Sequence, residues 1–192
     1  MAAPLTIEEL YDSEQGKIVI PAGMKRFAAI AYKGIFPVLY VKVAGVTNFA
    51  HNINEVFYTH RENVPLEYCV KMKREPENRY DENAIAIWAG FNQEVLFSHG
   101  SENGYVKIGY IPKELAALLT QVWAVYKIWY KVKLDTITPE IKQKAVPPSC
   151  RITLTPPIKE RIEAPPAPRM RTLKISPDIS IRAIQKKLSR KG

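Results

Sequence analysis

Several features that mark common enzyme and membrane proteins are scarce or absent in this sequence. Its 192 residues include two cysteines and three histidines, and these are not spaced as zinc ligands are. No stretch approaches the roughly 18 apolar residues of a membrane-spanning helix. The G-x-x-x-x-G-K-[ST] loop, the G-x-G-x-x-G turn and the G-x-S-x-G elbow are missing. We therefore expect a non-catalytic protein with no metal, no cofactor and no membrane partner.

The cysteines and the first residues bear on where the protein works. The segment MAAPLTIEELYDSE lacks the basic and then apolar run of a secretory signal peptide. Cys69 and Cys150 are too few for a disulfide framework and favour free thiols in a reducing compartment. We expect a protein that is not secreted and that works in the cytoplasm, associated with the nucleoid, or in a virion.

The positive charge is concentrated in the C-terminal part of the chain. The formal net charge is +9; residues 1–137 hold 15 basic and 15 acidic residues, whereas residues 138–192 hold 13 basic and 4 acidic ones. The second segment also contains 9 of the 15 prolines, which resist regular packing. We predict an extended, basic, proline-rich arm over residues 138–192, ending in a short amphipathic helix with its N-cap at Ser176.

Residues 37–137 have the alternation of a β domain. VLYVKVAGVTNF and then EVFYTH are rich in β-branched and aromatic residues and predict two strands. LEYCVKMKR alternates apolar and polar residues, and NAIAIW, EVLF, YVKIGYI and YKIWYKVKLDTI continue the series. One internal helix is predicted from Pro112 through KELAALLTQVWAVY. This pattern predicts a mostly β fold with one or two helices, a compact barrel or sandwich built mainly from antiparallel strand pairs.

The segment before the barrel is predicted to be a helix and strand extension. Thr6 and Glu9 have the spacing of a capping box, which predicts a short helix over residues 7–12. KIVIPAG then predicts a short edge strand. The predicted domains are therefore an extension (1–36), a β-barrel (37–137) and an arm (138–192).

Two motifs in the β segment resemble a known family. REPENRYDENAIAIW (74–88) holds an Arg-acid-Pro and a Tyr-Asp-x-Asn-Ala-Ile turn, and VKIGYIPKELAALL (106–119) holds a strand leading into a Lys-Glu-Leu-Ala helix start. Both motifs occur in this order in the HIRAN domain, which the chain resembles from about Val41 to Leu134. The resemblance implies a small DNA-binding barrel related to the OB type. One eukaryotic member of the family binds the 3′ end of single-stranded DNA.

The resemblance also implies nucleic-acid-binding residues. Tyr80 would stack on a base, Asp81 would accept a hydrogen bond from the terminal 3′-hydroxyl group, and Asn78 would lie beside that terminus. Lys113, at the helix start, would contact a phosphate. Tyr110, where a family member has histidine, would stack or donate a hydrogen bond. Two basic residues complete the predicted site: Arg74 and Arg79.

Some of these residues also have structural explanations. Asp81 is a natural turn residue whose side chain can hydrogen-bond to the backbone two residues on. Tyr80 can cap the barrel, and Lys113 can be a solvated surface lysine. In the first strand, Asn48 stands where the family presents an aromatic side chain, and Phe49, one position on, is predicted to face the opposite way.

Two functions from different classes follow. In the first, the barrel recognises single-stranded DNA 3′ ends or distorted DNA, and the basic arm adds phosphate contacts. In the second, the protein is a structural subunit of a large assembly such as a phage virion, in which barrel and arm pack against other proteins. The first function predicts that Tyr80, Asp81 and Lys113 converge on an open groove. Because residues 1–137 have no net charge, it also requires a local basic patch, for which the candidates are Lys71, Lys73, Arg74, Arg79 and Lys113.

Overall fold

The computed structural model describes residues 11–12, 14–20, 31–62, 66–93, 95, 97–98 and 100–157. Its strands are β1 (Tyr11–Asp12), β2 (Lys17–Ile18), β3 (Ala31–Lys33), β4 (Phe36–Lys42), β5 (Tyr68–Arg74), β6 (Ile85–Phe91), β7 (Tyr105–Tyr110), β8 (Lys131–Thr138) and β9 (Ser149–Thr155). The α-helices are α1 (Ala50–Glu62) and α2 (Lys113–Tyr126), and short 3-10 helices cover Val46–Phe49 and Lys142–Lys144. The predicted C-terminal helix lies outside the described residues. Of the helix predicted over 7–12, the two described residues form β1 instead.

Antiparallel pairing organises the strands into two main sheets. One sheet has the order β5-β6-β7 and the other the order β3-β4-β9-β8, while β1 and β2 form a separate hairpin. Past the end of β4, Ala44 exchanges two backbone hydrogen bonds with Tyr110, at 2.8 and 2.9 Å, and this bridge ties the two sheets together.

The sheets do not close into the predicted barrel. In the described part of the chain, β5 and β8 approach each other, but no ladder of hydrogen bonds joins them. The chain between β4 and β5 is helical, so it adds no strand that closure would need. The mostly β fold and the two helices agree with the sequence prediction, and the barrel is corrected to two packed sheets.

The segment EVFYTH, predicted as a strand, lies inside α1. Ile53 and Val56 are three residues apart and fully buried, which is the spacing of one helix face. The Asn52 side chain donates to the carbonyl oxygen of Lys107 at 2.8 Å, and the Asn54 side chain accepts the backbone N–H of Glu140 at 2.8 Å. Burial of this face against the sheets therefore outweighs the β propensity of the aromatic residues.

The internal helix is confirmed as α2. Leu115, Leu119 and Val122 face the core at helical spacing, and Lys127, the residue after the helix, has the left-handed conformation with φ of 54°. No helix in the described ranges is long and apolar enough to cross a membrane.

β9 lies beyond the predicted domain boundary at residue 137. Its alternation buries Cys150, Ile152 and Leu154 completely. The strand sits between β4 and β8 in the sheet, with Leu154 opposite Leu39. The folded domain therefore continues to Thr155, because the alternation of SCRITLT is a stronger local signal than the prolines on either side.

Both cysteines are free thiols. Cys69 is half-buried on β5 and Cys150 is fully buried on β9. Burial, with a smaller contribution from the charge of Asp135, raises the pKa of Cys150 to about 12. Cys150 therefore contributes packing to the core and stays protonated at neutral pH.

Candidate nucleic-acid interface

The turn between β5 and β6 is held by its own side chains. Asn78 Oδ1 accepts the backbone N–H of Tyr80 at 3.0 Å, and Asp81 Oδ1 accepts that of Asn83 at 3.0 Å. The turn-forming explanation of Asp81 is thus confirmed for one carboxylate oxygen. These bonds fix a loop from which the Tyr80 side chain projects with 74% of its surface exposed.

A groove of about 490 Å³ opens beside this turn. Five of the seven predicted site residues line it: Asn78, Tyr80, Asp81, Tyr110 and Lys113. The other lining residues come from the β4–α1 connection and from the ends of neighbouring elements: Ala44, Gly45, Asn48, Phe49, Ala84 and Ile111. The convergence of Tyr80, Asp81 and Lys113 on one groove agrees with the arrangement expected of a binding function.

Phe49 gives the groove an aromatic side chain, although the alternation of a strand predicted that Phe49 faces the opposite way from Asn48. Val46–Phe49 is a 3-10 helix, with about three residues per turn, so the alternation of a strand does not apply there. Asn48 and Phe49 consequently line the same groove. The Phe49 ring lies 5.9 Å from the Tyr110 ring, centroid to centroid, with the planes tilted by 57°. The prediction that Phe49 faces away is wrong.

The Tyr110 hydroxyl belongs to a small network inside the protein. It donates to Glu75 Oε2 at 2.9 Å and accepts from Lys107 Nζ at 3.1 Å. Lys107 also donates to Glu75 Oε1 at 2.5 Å. Tyr110 therefore offers the groove its ring, while its hydroxyl is held on the sheet. Sequence reasoning missed Glu75 and Lys107, although Glu75 is the acid of the Arg-acid-Pro motif.

The part of the chain that contains the groove was compared with known protein families. A family model described as the HIRAN domain matches residues 39–155, well over half of the chain, and includes the turn, the groove and β9. The chain belongs to the HIRAN domain family. Family membership indicates a DNA-binding module. Searches of curated proteins and of solved structures gave no match.

The network beneath the groove of this HIRAN domain sets the charges of its members. The side chains of Lys107 and Glu75 are 21% and 22% exposed. Burial alone raises the pKa of Glu75, but hydrogen bonds from Lys107 and Tyr110 and the lysine charge bring that pKa below its ordinary value. Burial lowers the pKa of Lys107, and the bonds to Glu75 and Tyr110 more than reverse this. Both residues are therefore ionised at neutral pH.

Replacing Glu75 should expose the pH dependence of this network. Because the pKa of Glu75 is lower in the folded protein, its stabilisation is present above the ordinary value of 4.5 and is lost as the pH falls below it. We expect Glu75→Gln to lower the free energy of unfolding by about 1 kcal/mol at pH 7, as a part-buried lysine loses its counter-charge. Denaturant titrations from pH 7 to pH 3 should show a flatter acid decline for the variant than for the wild type. A parallel decline in both proteins would contradict the role of Glu75.

Two predicted site residues of this HIRAN domain do not line the groove. Arg74 lies half-buried with its guanidinium 5.5 Å from the centre of the Trp123 ring of α2. The guanidinium carbon of Arg79 lies 4.5 Å from the centre of the Tyr80 ring, and Arg79 donates a hydrogen bond to the Tyr80 hydroxyl. Arg74 therefore joins the sheet to α2, and Arg79 adds charge next to the proposed stacking ring.

The residues of the predicted basic patch do not lie together on one side of the protein. Lys71 lies 3.5 Å from the centre of the Tyr105 ring, and Lys73 forms an ion pair with Glu102 at 2.7 Å, so both are engaged on the outer face of the three-stranded sheet. Arg74 follows Lys73 on the strand and faces the other side. Lys113 is the predicted patch lysine that lines the groove.

Proposed function

We propose that the groove of this HIRAN domain holds the 3′ end of a single DNA strand and that the protein acts by binding, without catalysis. The observation that carries the proposal is the convergence of an exposed tyrosine, a carboxylate and a lysine on one groove: Tyr80, Asp81 and Lys113. These three side chains suit a base, a terminal hydroxyl group and a phosphate, which are the parts of a strand end.

Each part of the strand end has a physical counterpart in the groove. The exposed Tyr80 ring offers a face to a base, a contact worth about 1 to 3 kcal/mol. Asp81 uses one oxygen in the turn, and a carboxylate has further lone pairs for the 3′-hydroxyl group. Lys113 is the first residue of α2, where a cation and the free backbone N–H groups of the helix start favour a phosphate.

Asp81 is the one carboxylate among the described residues that line the groove, and it also holds the turn. The proposal therefore assigns the groove contacts to a strand end and includes no catalytic step. The basic excess of residues 138–192 is expected to add phosphate contacts that do not depend on sequence.

Changing Asp81 to asparagine should remove the preference for a 3′-hydroxyl end. Asparagine keeps a side-chain oxygen for the Asn83 N–H, so the turn is preserved while the charge is lost. In the wild type we expect 5′-labelled strands ending in 3′-hydroxyl to bind more tightly than strands ending in 3′-phosphate, which the carboxylate repels. We expect Asp81→Asn to reduce the ratio of the two affinities roughly tenfold, as measured by fluorescence anisotropy on the full chain.

Glu82→Gln is the matched control for this experiment. Glu82 is exposed, adjacent in sequence and absent from the groove lining, and the change removes the same unit of charge. The ratio should stay at the wild-type value in this variant. Equal binding of both strand ends by the wild type would overturn the proposed recognition of the 3′ end.

A further inference from the structure

The outer face of the four-stranded sheet carries a set of basic residues that the groove does not use. Lys42 on β4, Arg151 on β9, and Lys131 and Lys133 on β8 are all exposed, and Tyr40 beside them is 49% exposed. Lys42 is directly opposite Arg151, while Thr153 lies between Tyr40 on one side and Lys133 on the other. We call Tyr40, Lys42, Lys131, Lys133 and Arg151 the cationic face.

The cationic face is electrostatically unbalanced within the protein. Like charges directly opposite each other on neighbouring strands are destabilising, and Lys42 and Arg151 are such a pair. Asp135 is the one acidic residue on β4, β8 and β9, and it accepts a hydrogen bond from the Thr153 hydroxyl at 2.6 Å. Within the described residues, the ion pairs lie elsewhere, so none neutralises these four cations. A face built at the expense of sheet stability favours an anionic partner.

The cationic face is continuous with the groove. Lys42 ends β4, and two residues later Ala44 and then Gly45 line the groove. Two residues of extended chain span about 7 Å. The connection is fixed at both sides, because the Val43 N–H donates to the Cys150 carbonyl oxygen at 2.9 Å and Ala44 pairs with Tyr110. A strand that ends in the groove therefore has a basic surface next to it.

We propose that the cationic face binds the backbone phosphates of the DNA strand whose 3′ end lies in the groove. This proposal rests on the proposed function of the groove. The exposed Tyr40 among the cations suits a nucleic acid better than an acidic peptide, because a base can stack on its ring while the cations contact the phosphates. The face thereby extends recognition from the strand end to the nucleotides that precede it.

Arg151→Glu is expected to change DNA binding and stability in opposite directions. If Arg151 had only a structural role, the variant would not combine weaker DNA binding with higher stability. The variant replaces a cross-strand cation pair with an opposite-charge pair between positions 42 and 151, so we expect the melting temperature to rise. The affinity of the full chain for a 5′-labelled dodecanucleotide, measured by fluorescence anisotropy, should fall about tenfold. In a plot of the logarithm of the binding constant against the logarithm of the salt concentration, the slope should become shallower by about 0.7 for each phosphate contact that is lost. The affinity of the variant for a trinucleotide with the same 3′-hydroxyl end should stay within about twofold of the wild-type affinity, because so short a strand lies in the groove and does not reach the cationic face.

Lys33→Glu is the matched control, since Lys33 is exposed and lies in the β3–β4 hairpin, at the end of β4 that is remote from the groove. It should leave both affinities unchanged. An unchanged dodecanucleotide affinity in Arg151→Glu, or an equal fall in Lys33→Glu, would overturn the proposal. Weakened binding of a polyglutamate peptide with unchanged DNA affinity would overturn it in favour of an acidic protein. If the wild type does not distinguish 3′ ends but Arg151→Glu still weakens long strands, the proposed function of the groove fails and the cationic face stands.

Discussion

A chain that ends at residue 137 should not fold. Such a chain lacks β9, which lies between β4 and β8 and buries Cys150, Ile152 and Leu154 completely. Burial of three such side chains contributes about 6 kcal/mol, which is comparable with the whole stability of a typical small domain. β8 also loses its hydrogen-bonded partner in the sheet, and β4 loses one of its two. We expect no cooperative thermal transition by circular dichroism and poor dispersion of amide signals in NMR spectra.

A chain that ends at residue 157 is the control for this truncation. It keeps every described residue of the sheet and lacks residues 158–192, which the shorter chain lacks as well. We expect a cooperative transition close to that of the full chain. Similar melting of the two truncated chains would show that β9 is dispensable, contrary to its central position.

Replacing Gly109 by alanine should disrupt both the fold and the groove. A Cβ atom at this position would lie 2.5 Å from Val43 Cγ1 and 2.6 Å from the Ala44 carbonyl oxygen, and the backbone has φ of 152°, which L side chains rarely adopt. The collision falls on the bridge that joins Ala44 to Tyr110 and hence on the groove lining. We expect a loss of about 3 kcal/mol in the free energy of unfolding, from overpacking plus backbone strain, measured by denaturant titration. DNA binding should weaken in parallel.

Gly100→Ala separates backbone strain from the collision. Gly100 also has a positive φ, of 60°, but an added Cβ would meet nothing within 4 Å. The cost there should be about 1 kcal/mol or less. Equal losses in the two variants would mean that the close approach of Val43 and Ala44 to β7 does not determine the effect at Gly109.

The local elements were predictable because their signals are local. α2 follows from the periodicity after Pro112, and β5 follows from strict alternation, and both agree with the structure. Five residues of the groove were also predicted, since the turn motif and the helix start each supply adjacent residues. Phe49 was misplaced because its orientation depends on whether the preceding segment is a strand or a 3-10 helix, and its sequence does not distinguish these.

Features that depend on distant pairing were not predictable from the sequence. Lys42 and Arg151 become neighbours through the register of β4 on β9, and no single segment shows this. The predicted basic patch required folding to gather its members on one side, but Lys73 and Arg74 are adjacent on β5 and therefore point to opposite faces. The closed barrel likewise failed, as closure depends on whether β5 and β8 pair. Their pairing is a property of the assembled sheets.

The central position of β9 has a consequence for the order in which the protein is made. β4 is synthesised early, yet its partner on one side, β9, ends at Thr155. During translation the exposed edges of β4 and β8 must wait until that strand leaves the ribosome, so the four-stranded sheet cannot form progressively from the N-terminus. Pairing over such a sequence separation slows folding, and unpaired edges promote aggregation. The nascent chain is therefore most vulnerable just before β9 appears.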